Sequence, residues 1–416
     1  MGTTIANTTM TVPPPLNPGA PSPLAGIRVL ELGTMIAGPV VATLLGDFGA
    51  EVIKIEQPQG GDPIRNIGPF CEGEGLWWNV EGRGKKSITL DLRQQEGQAL
   101  LRRLVRHADV LVENFRPGTM EKWNVGWPIL SQENPRLVMV SVSGYGQTGP
   151  YAERPSFDRI ALAFAGLLNI TGFADRPPVR PGVAMADYQS ALMGAFAAAL
   201  ALYHRDAQGG KGQHVDVSLF ESVFRFTDIL VTAADKVGVK RSRQGNLHFA
   251  AAPGDHFETC DGRYIVMTIS NNPLFAQLAR AMGQPELAQD DRFATHDARW
   301  RNITQINSLV GEWIRSRPVN EILETLQANG LPHSLVYGVN EILEDPHYAA
   351  RGSIATLDHP KIGPLKMPAP APRLSETPAV ALRPAPELGA HNMDVYAGLL
   401  ELEASTLASL KARGVV

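Results

Sequence analysis

The 416-residue chain is long enough for two or more domains with substantial cores, and 44% hydrophobic with 19% charged residues is the balance of an ordinary soluble enzyme. A net charge of -4 offers no basic surface for nucleic acid, and no apolar run reaches membrane-spanning length. Its two cysteines, Cys71 and Cys260, form no CxxC pair, which argues against a disulfide framework or a Cys-based zinc site and for a reducing, cytoplasmic setting.

The first residues are rich in Thr and Pro and lack the charged and apolar regions of a secretory signal, so 1–22 reads as a flexible tail. Regular structure begins with a strand over 28–32. Gly38-Pro39 opens a short helix to about Asp47, because proline suits a first helical turn. A second strand covers 50–56. This βαβ unit predicts parallel strands. Further strands are read over 87–92, 110–114, 137–142 and 214–218, with helices over 95–107, 158–168, 187–204 and 219–234. Strands alternating with helices predict an α/β fold, a Rossmann-like open parallel sheet with ligands at the carboxyl ends of the strands. The loops 34–38 and 114–118 fall there. Gly33 to Gly38 is not G-x-G-x-x-G, and Gly209 to Gly212 lacks P-loop spacing, so NAD and ATP are poor candidates.

Composition shifts after residue 234. A β-hairpin on an Asp-Gly turn spans 255–268 and helices dominate to about Asn329. The expected domains are a large α/β domain over 23–234, a smaller α+β domain over 235–340, and a linker and C-terminal segment over 341–416 returning to the large domain. Within that segment, the Pro-rich span 363–386 reads as extended linker, and 393–410 as a final helix.

One carboxylate stands out. Asp187 precedes the small and apolar run 191–202, which should be helical. Two readings compete. Asp is a preferred N-cap residue. A helix N-terminus also favours the charged carboxylate, the form that attacks as a nucleophile. The local sequence leaves both open.

Several blocks together resemble the class III CoA-transferases, the family that also holds formyl-CoA transferase and the α-methylacyl-CoA racemases. They are Pro23 to Leu32, Ala37-Gly-Pro39, Phe48 to Glu56, Lys85 to Asp91, Val112 to Gly118, Gly144 to Pro150, Pro181 to Asp187, Gly210 to Val217 and Leu388 to His391. The resemblance implies that Asp187 is the catalytic aspartate. It places CoA against Met35, Ile36 and Ala37, against Leu90 and Arg93, and against Asn114, Phe115 and Lys122, with the two cations suited to phosphates. It puts Phe157, Gly245, Asn246 and His248 at the substrate, and implies an interlocked homodimer.

Three departures stand out. Gln57 replaces a basic residue sometimes found there, Ala191 replaces a common glycine, and Gly254-Asp255 follows Pro253 where an aromatic is common. Phe157 stands where the racemases carry histidine. A phenyl ring cannot carry a proton, so a two-base racemase lacks one base.

The family's chemistry implies an aspartyl anhydride and then an aspartyl-CoA thioester. A thiol near ~8.5 against a carboxylic acid near ~4 makes the anhydride uphill by on the order of 6 kcal/mol. Oxyanion donors are therefore needed, and the loops 144–150 and 244–246 are candidates. CoA is substrate rather than a tightly bound cofactor. The Gly144, Arg180 and Gly210 blocks look most like the branch acting on succinyl-CoA and dicarboxylates, for whose second carboxylate Arg154, Arg180 and Arg243 are candidate cations. A non-catalytic CoA-binding partner and a lyase or dehydratase on carnitinyl-type esters are the other readings.

Overall fold

The computed structural model describes residues 21–416; of the tail expected over 1–22, residues 1–20 lie outside them. The chain divides into two compact units. The first comprises residues up to Leu167, Pro181–Ile229 and Pro346–Val416, and the second Leu168–Arg180 and Leu230–Asp345. The segment 168–180, read as part of the large domain, thus belongs to the second unit, which runs on from 230 to 345 rather than from 235 to 340.

The first unit is built on six parallel strands: β1 (Arg28–Glu31), β2 (Glu51–Glu56), β3 (Lys86–Thr89), β4 (Val110–Glu113), β5 (Val138–Ser143) and β6 (His214–Ser218). Their order is β3-β2-β1-β4-β5-β6, and each neighbouring pair is parallel. Every residue of β4 and β5 is buried, as expected of strands covered on both faces. The chain lays β2 and β3 to one side of β1, then returns to lay β4 on the other. The crevice between the carboxyl ends of β1 and β4 is therefore the switch point, where open α/β sheets bind ligands.

Two helices pack closely on the sheet. Helix α1 (Ala37–Asp47) is apolar and buried almost all round. The long helix over Met185–Ala207 lays a stripe of small residues inward, Ala186, Ser190, Ala191, Gly194, Ala198 and Ala201. Their spacing of three and four residues keeps them on one face. At Gly194 a Cβ would lie 2.8 Å from Val41 Cγ2 and 3.4 Å from Val140 Cγ1, so glycine is what lets this helix approach α1 and β5.

The C-terminal segment finishes the core. Val395, Tyr396, Leu400, Leu407, Leu410, Val415 and Val416 are buried with residues of β1 to β4. It also covers the edge strand β3. The Tyr396 hydroxyl donates to Thr89 O at 2.7 Å, Thr89 N donates to Asn392 Oδ1 at 2.8 Å, and His391 N donates to Ser87 O at 2.9 Å. An otherwise open sheet edge thereby finds its hydrogen-bond partners.

The second unit pairs Gly254–Glu258 with Tyr264–Thr268 antiparallel, across a turn in which Gly262 has a φ of 74°, and adds His333–Leu335 as a third strand. Helices close over a core that includes Phe257, Ile265, Phe275, Ile306 and Ile322.

Four elements differ from the sequence reading. The Pro-rich span opens as a strand, Gly363–Pro368, paired with Ile354–His359; prolines are tolerated in so small a sheet, where every strand is an edge. The helix over 158–168 ends at Phe164, ahead of Gly166 with a φ of 84°. The helix over 219–234 is two, Leu219–Phe224 and Leu230–Val237, with Asp228 left-handed between them. The final helix is also two, Asn392–Leu400 and Ala404–Ala412, separated at left-handed Glu401. Among the described residues, no helix is long and apolar enough to cross a membrane.

Gly194→Val should overpack the contact with Val41 and cost about 1–3 kcal/mol. The expected outcome is a melting temperature lower by a few degrees, read by circular dichroism. An unchanged melting temperature would mean that the helix and sheet have room to spare.

Candidate active site

Where β1 to β4 end, the chain leaves a small cleft whose walls include Gly33, Thr34, Gln57, Leu90, Phe115 and Trp123. Leu90 and Phe115 are thus brought together. Phe115 meets Trp123 edge-on at 5.1 Å. Its N–H donates to Glu113 Oε2 at 2.8 Å, and burial pushes the Glu113 carboxyl up to about 7.

Met35, Ile36 and Ala37 continue the loop that Gly33 and Thr34 begin, and Ala37 opens α1. The loop is held from several sides. Thr34 N donates to Asn114 Oδ1 at 2.8 Å, and Asn114 Nδ2 donates to Thr34 O at 2.9 Å. Both polar atoms of the Asn114 amide are therefore engaged by the loop. Met35 is left-handed, with a φ of 65°. That conformation costs an L-residue roughly 1–2 kcal/mol. Its N–H donates to Asp62 Oδ1 at 3.0 Å.

Beneath the loop lies a buried charge cluster that the sequence reading did not single out. Lys54 Nζ contacts Glu31 Oε1 at 2.6 Å and Asp62 Oδ2 at 2.8 Å, and donates to Gly33 O at 2.9 Å. Lys85 Nζ contacts Glu31 Oε2 at 2.7 Å and donates to Pro39 O at 2.9 Å. Burial works against the Lys54 charge, but Glu31, Asp62 and Glu56 outweigh it, so its proton is held more tightly than usual. A sequence signal did exist: a lysine within Val-Ile-Lys-Ile must be paired if the strand is covered on both faces.

The two cationic candidates lie outside the cleft walls. Arg93 is exposed and bidentate with Asp91, at 2.8 and 2.9 Å. Lys122 is exposed at the end of the one-turn helix Thr119–Lys122.

Asp187 lies in the first turn of the long helix, half-buried. It is not the cap. Ala184 occupies the cap position without a side-chain bond, and the Ala186 N–H donates instead to Asp158 Oδ1 at 2.7 Å. Among the described residues, the Asp187 carboxylate has no hydrogen bond or ion pair. Burial, and then the Asp158 charge, push its pKa up to about 7. The next residue, Tyr188, is fixed: its hydroxyl donates to Glu81 Oε1 at 2.8 Å and accepts from Trp77 Nε1 at 3.2 Å. Phe157 precedes Asp158 and is 75% exposed, with its carbonyl accepting the Ile160 and Ala161 N–H groups.

The proposed oxyanion loops are partly spent on the protein itself. Gly146 N donates to Ser143 Oγ and Gln147 N to Asp216. Within the second unit, Gly245 N donates to Gly172 O at 2.9 Å and Asn246 Nδ2 to Asp255 Oδ1 at 2.9 Å. His248 Nδ1 accepts from Ala250 N at 3.3 Å and its ring lies 4.4 Å from Phe249. Of the candidate cations, Arg154 lies 3.7 Å from the Tyr151 ring centre and Arg243 donates to Phe173 O. Among the described residues no cluster of His, Cys, Asp and Glu could hold a metal ion.

Because folding raises the Asp187 pKa from 3.8 to about 7, its ionisation opposes folding. The stability it allows below its unfolded pKa is lost as pH rises through the folded value. Asp187→Asn removes that loss. Its melting temperature should gain on the wild type as pH rises from about 4 to about 7 and hold the gain above; a gain independent of pH would refute the raised pKa.

Residues 24–392 match the model of CoA-transferase family III. The succinyl-CoA–D-citramalate CoA-transferase of Chloroflexus aurantiacus is 44% identical over 397 residues, covering 95% of this chain and 98% of that one. The beta subunit of succinyl-CoA–L-malate CoA-transferase from the same organism is 42% identical, over 95% and 98% of the two chains. The Homo sapiens succinyl-CoA:glutarate CoA-transferase is 32% identical, over 95% and 90%. A crystal structure of a CaiB/BaiF family protein from Brucella suis superposes with a TM-score of 0.81 at 35% identity, covering 91% of this chain and 99% of that one. With its six-stranded parallel sheet and this likeness along nearly the whole described chain, the protein belongs to CoA-transferase family III and is an enzyme of that family.

Proposed function

We propose that the enzyme moves CoA from succinyl-CoA to a free dicarboxylic acid of four or five main-chain carbons, with Asp187 as nucleophile. One observation carries this reading. Among the described residues, Asp187 is a carboxylate without a partner at the start of a helix whose cap is supplied by another residue. A structural role would have used its oxygens.

The donor and acceptor classes rest on the relatives, whose names pair succinyl-CoA with citramalate, malate and glutarate. An Asp187 oxygen attacks the thioester carbonyl and expels CoA thiolate, leaving a mixed anhydride. The thiolate then attacks the aspartyl carbonyl, releasing succinate and forming an aspartyl-CoA thioester. The acceptor carboxylate attacks that thioester and again expels thiolate. Finally the thiolate attacks the acceptor's acyl carbonyl, giving the new acyl-CoA and freeing Asp187. No proton need move between protein and carbon, so Phe157 is no obstacle, whereas it deprives a racemase of a base.

In this reading Met35, Ile36, Ala37, Leu90, Asn114 and Phe115 form the CoA cleft, and Arg93 and Lys122 reach its phosphates from the rim. Gly245, Asn246 and His248, with Phe157, belong by the resemblance to the acceptor side. Leu192, Phe196, Leu200 and Tyr203 are each more than half exposed and lie along one face of the long helix. An apolar stripe of that kind calls for a cover, which supports a homodimer.

The test is to incubate the enzyme with succinyl-CoA and a panel of mono- and dicarboxylic acids and identify the acyl-CoA products by mass spectrometry. New dicarboxyl-CoA esters should form, and none with Asp187→Ala. Hydroxylamine added during turnover should leave a hydroxamate on the Asp187 peptide. Turnover by Asp187→Ala would overturn the assignment.

Since only ionised Asp187 attacks, kcat/KM should rise with pH through an apparent pKa near 7, the value in the free enzyme. Asp158→Asn keeps an acceptor for the Ala186 N–H but removes the second cause of the raised pKa. Its acid limb should move to lower pH; an unmoved limb would assign that limb to another group.

A further inference from the structure

We infer that Asp62, held by Lys54, is a positioning residue for acyl-CoA binding, because it fixes the left-handed peptide of Met35 in the loop at the switch point. The inference rests on the CoA reading of that loop.

Four of the loop's backbone groups are held by side chains. Gly33 O accepts from Lys54, Thr34 is clamped at both its N–H and its C=O by Asn114, and the Met35 N–H goes to Asp62. Met35 carries a side chain at a φ of 65°, a conformation that L-residues leave unless something holds them. Asp62 is 2% exposed and does two further things. Its Oδ1 also accepts the Ile64 N–H at 3.0 Å, and its Oδ2 meets Lys54, itself 0% exposed. Asp62 N donates to Glu56 Oε2 at 2.9 Å, so its own backbone is fixed from β2. The carboxylate therefore cannot swing away, and the N–H it holds cannot turn.

The consequence lies in the groups that follow. With Met35 fixed, the first turn of α1, which starts at Ala37 without a side-chain cap from Ile36, is set in place together with its N–H donors. Donors held in place without the ligand need no reorganisation when it binds. Releasing Met35 would let this first turn reorient, and acyl-CoA binding would weaken while the reacting carboxylate, on another helix, stayed unchanged.

The experiment compares the full-length wild type, Asp62→Ala and Asp62→Asn. CoA binding is measured by calorimetry, KM for succinyl-CoA and for the acceptor acid separately, and melting temperature alongside. Asp62→Ala removes the acceptor for the Met35 N–H. Its CoA affinity should fall by on the order of tenfold or more, with KM for succinyl-CoA rising and KM for the acid unchanged. Asp62→Asn keeps the acceptor but loses the charge that faces Lys54. It should melt lower yet bind CoA within about threefold of wild type. A purely structural role would make the two variants alike in binding, and that result would overturn the inference. Should Asp62→Ala fail to fold, Met35→Val asks the same question from the loop side, since a β-branched residue resists this φ; wild-type CoA affinity in that variant would also overturn it. A wild type that binds CoA without transferring it would refute the proposed chemistry and leave the comparison of affinities intact. A wild type that does not bind CoA would end both.

Discussion

Two lysines and two carboxylates meet under the carboxyl ends of β1 and β2, and none is more than 3% exposed. Removing such ions from water costs several kcal/mol each, so they persist only when paired and fully hydrogen-bonded. Here the charges balance. Glu31 bridges both ammonium groups, Lys54 also reaches Asp62, and the remaining donors find the carbonyls of Gly33 and Pro39. An apolar core of equal volume could have been as stable. It could not have held Gly33, Met35 and Pro39 by specific bonds. The cluster joins three strands to one loop, and that loop occupies the place where an open parallel sheet accepts its ligand.

Asp187 is the opposite case. It too is a carboxylate partly removed from water, yet among the described residues no cation pairs with it. The charge that acts on it is another carboxylate, Asp158, which is occupied as the acceptor for the Ala186 N–H. Stabilising Asp187 fully would have lowered both its pKa and its reactivity. An unpaired carboxylate keeps a basic, nucleophilic oxygen at the cost of some folding stability, which is how functional sites commonly differ from structural ion pairs. Its neighbours carry the rigidity in its place, with Tyr188 held between Glu81 and Trp77.

Much of the first unit was legible because its strands are short apolar runs separated by helical spacing. Val29-Leu30, Val52-Ile53 and Val138 to Val142 announce themselves in that way, and each is buried. Breaks were harder to read. Glu401 caps one helix, and Asp228 turns the chain between two others, by adopting left-handed backbone, which glycine signals and these residues do not. The strand over Gly363–Pro368 was hidden because its prolines read as linker, while its pairing with Ile354–His359 is a matter of partner rather than of composition.

Sequence alone determined the alternation of strands and helices, the carboxylate at a helix start and, through the resemblance, the family. It left open whether Asp187 caps its helix. That question was decided by Asp158, 28 residues before the Ala186 N–H that it accepts, because a cap is a matter of which oxygen reaches the N–H in space. It also left the strand order open, and with it the switch point between β1 and β4, since order depends on crossover packing rather than on any strand's own residues. Tertiary structure likewise decided that Lys54, Glu31, Lys85 and Asp62 form one cluster. Their positions span residues 31 to 85, and only the stacking of β1, β2 and the start of β3 makes four scattered charges a single buried unit.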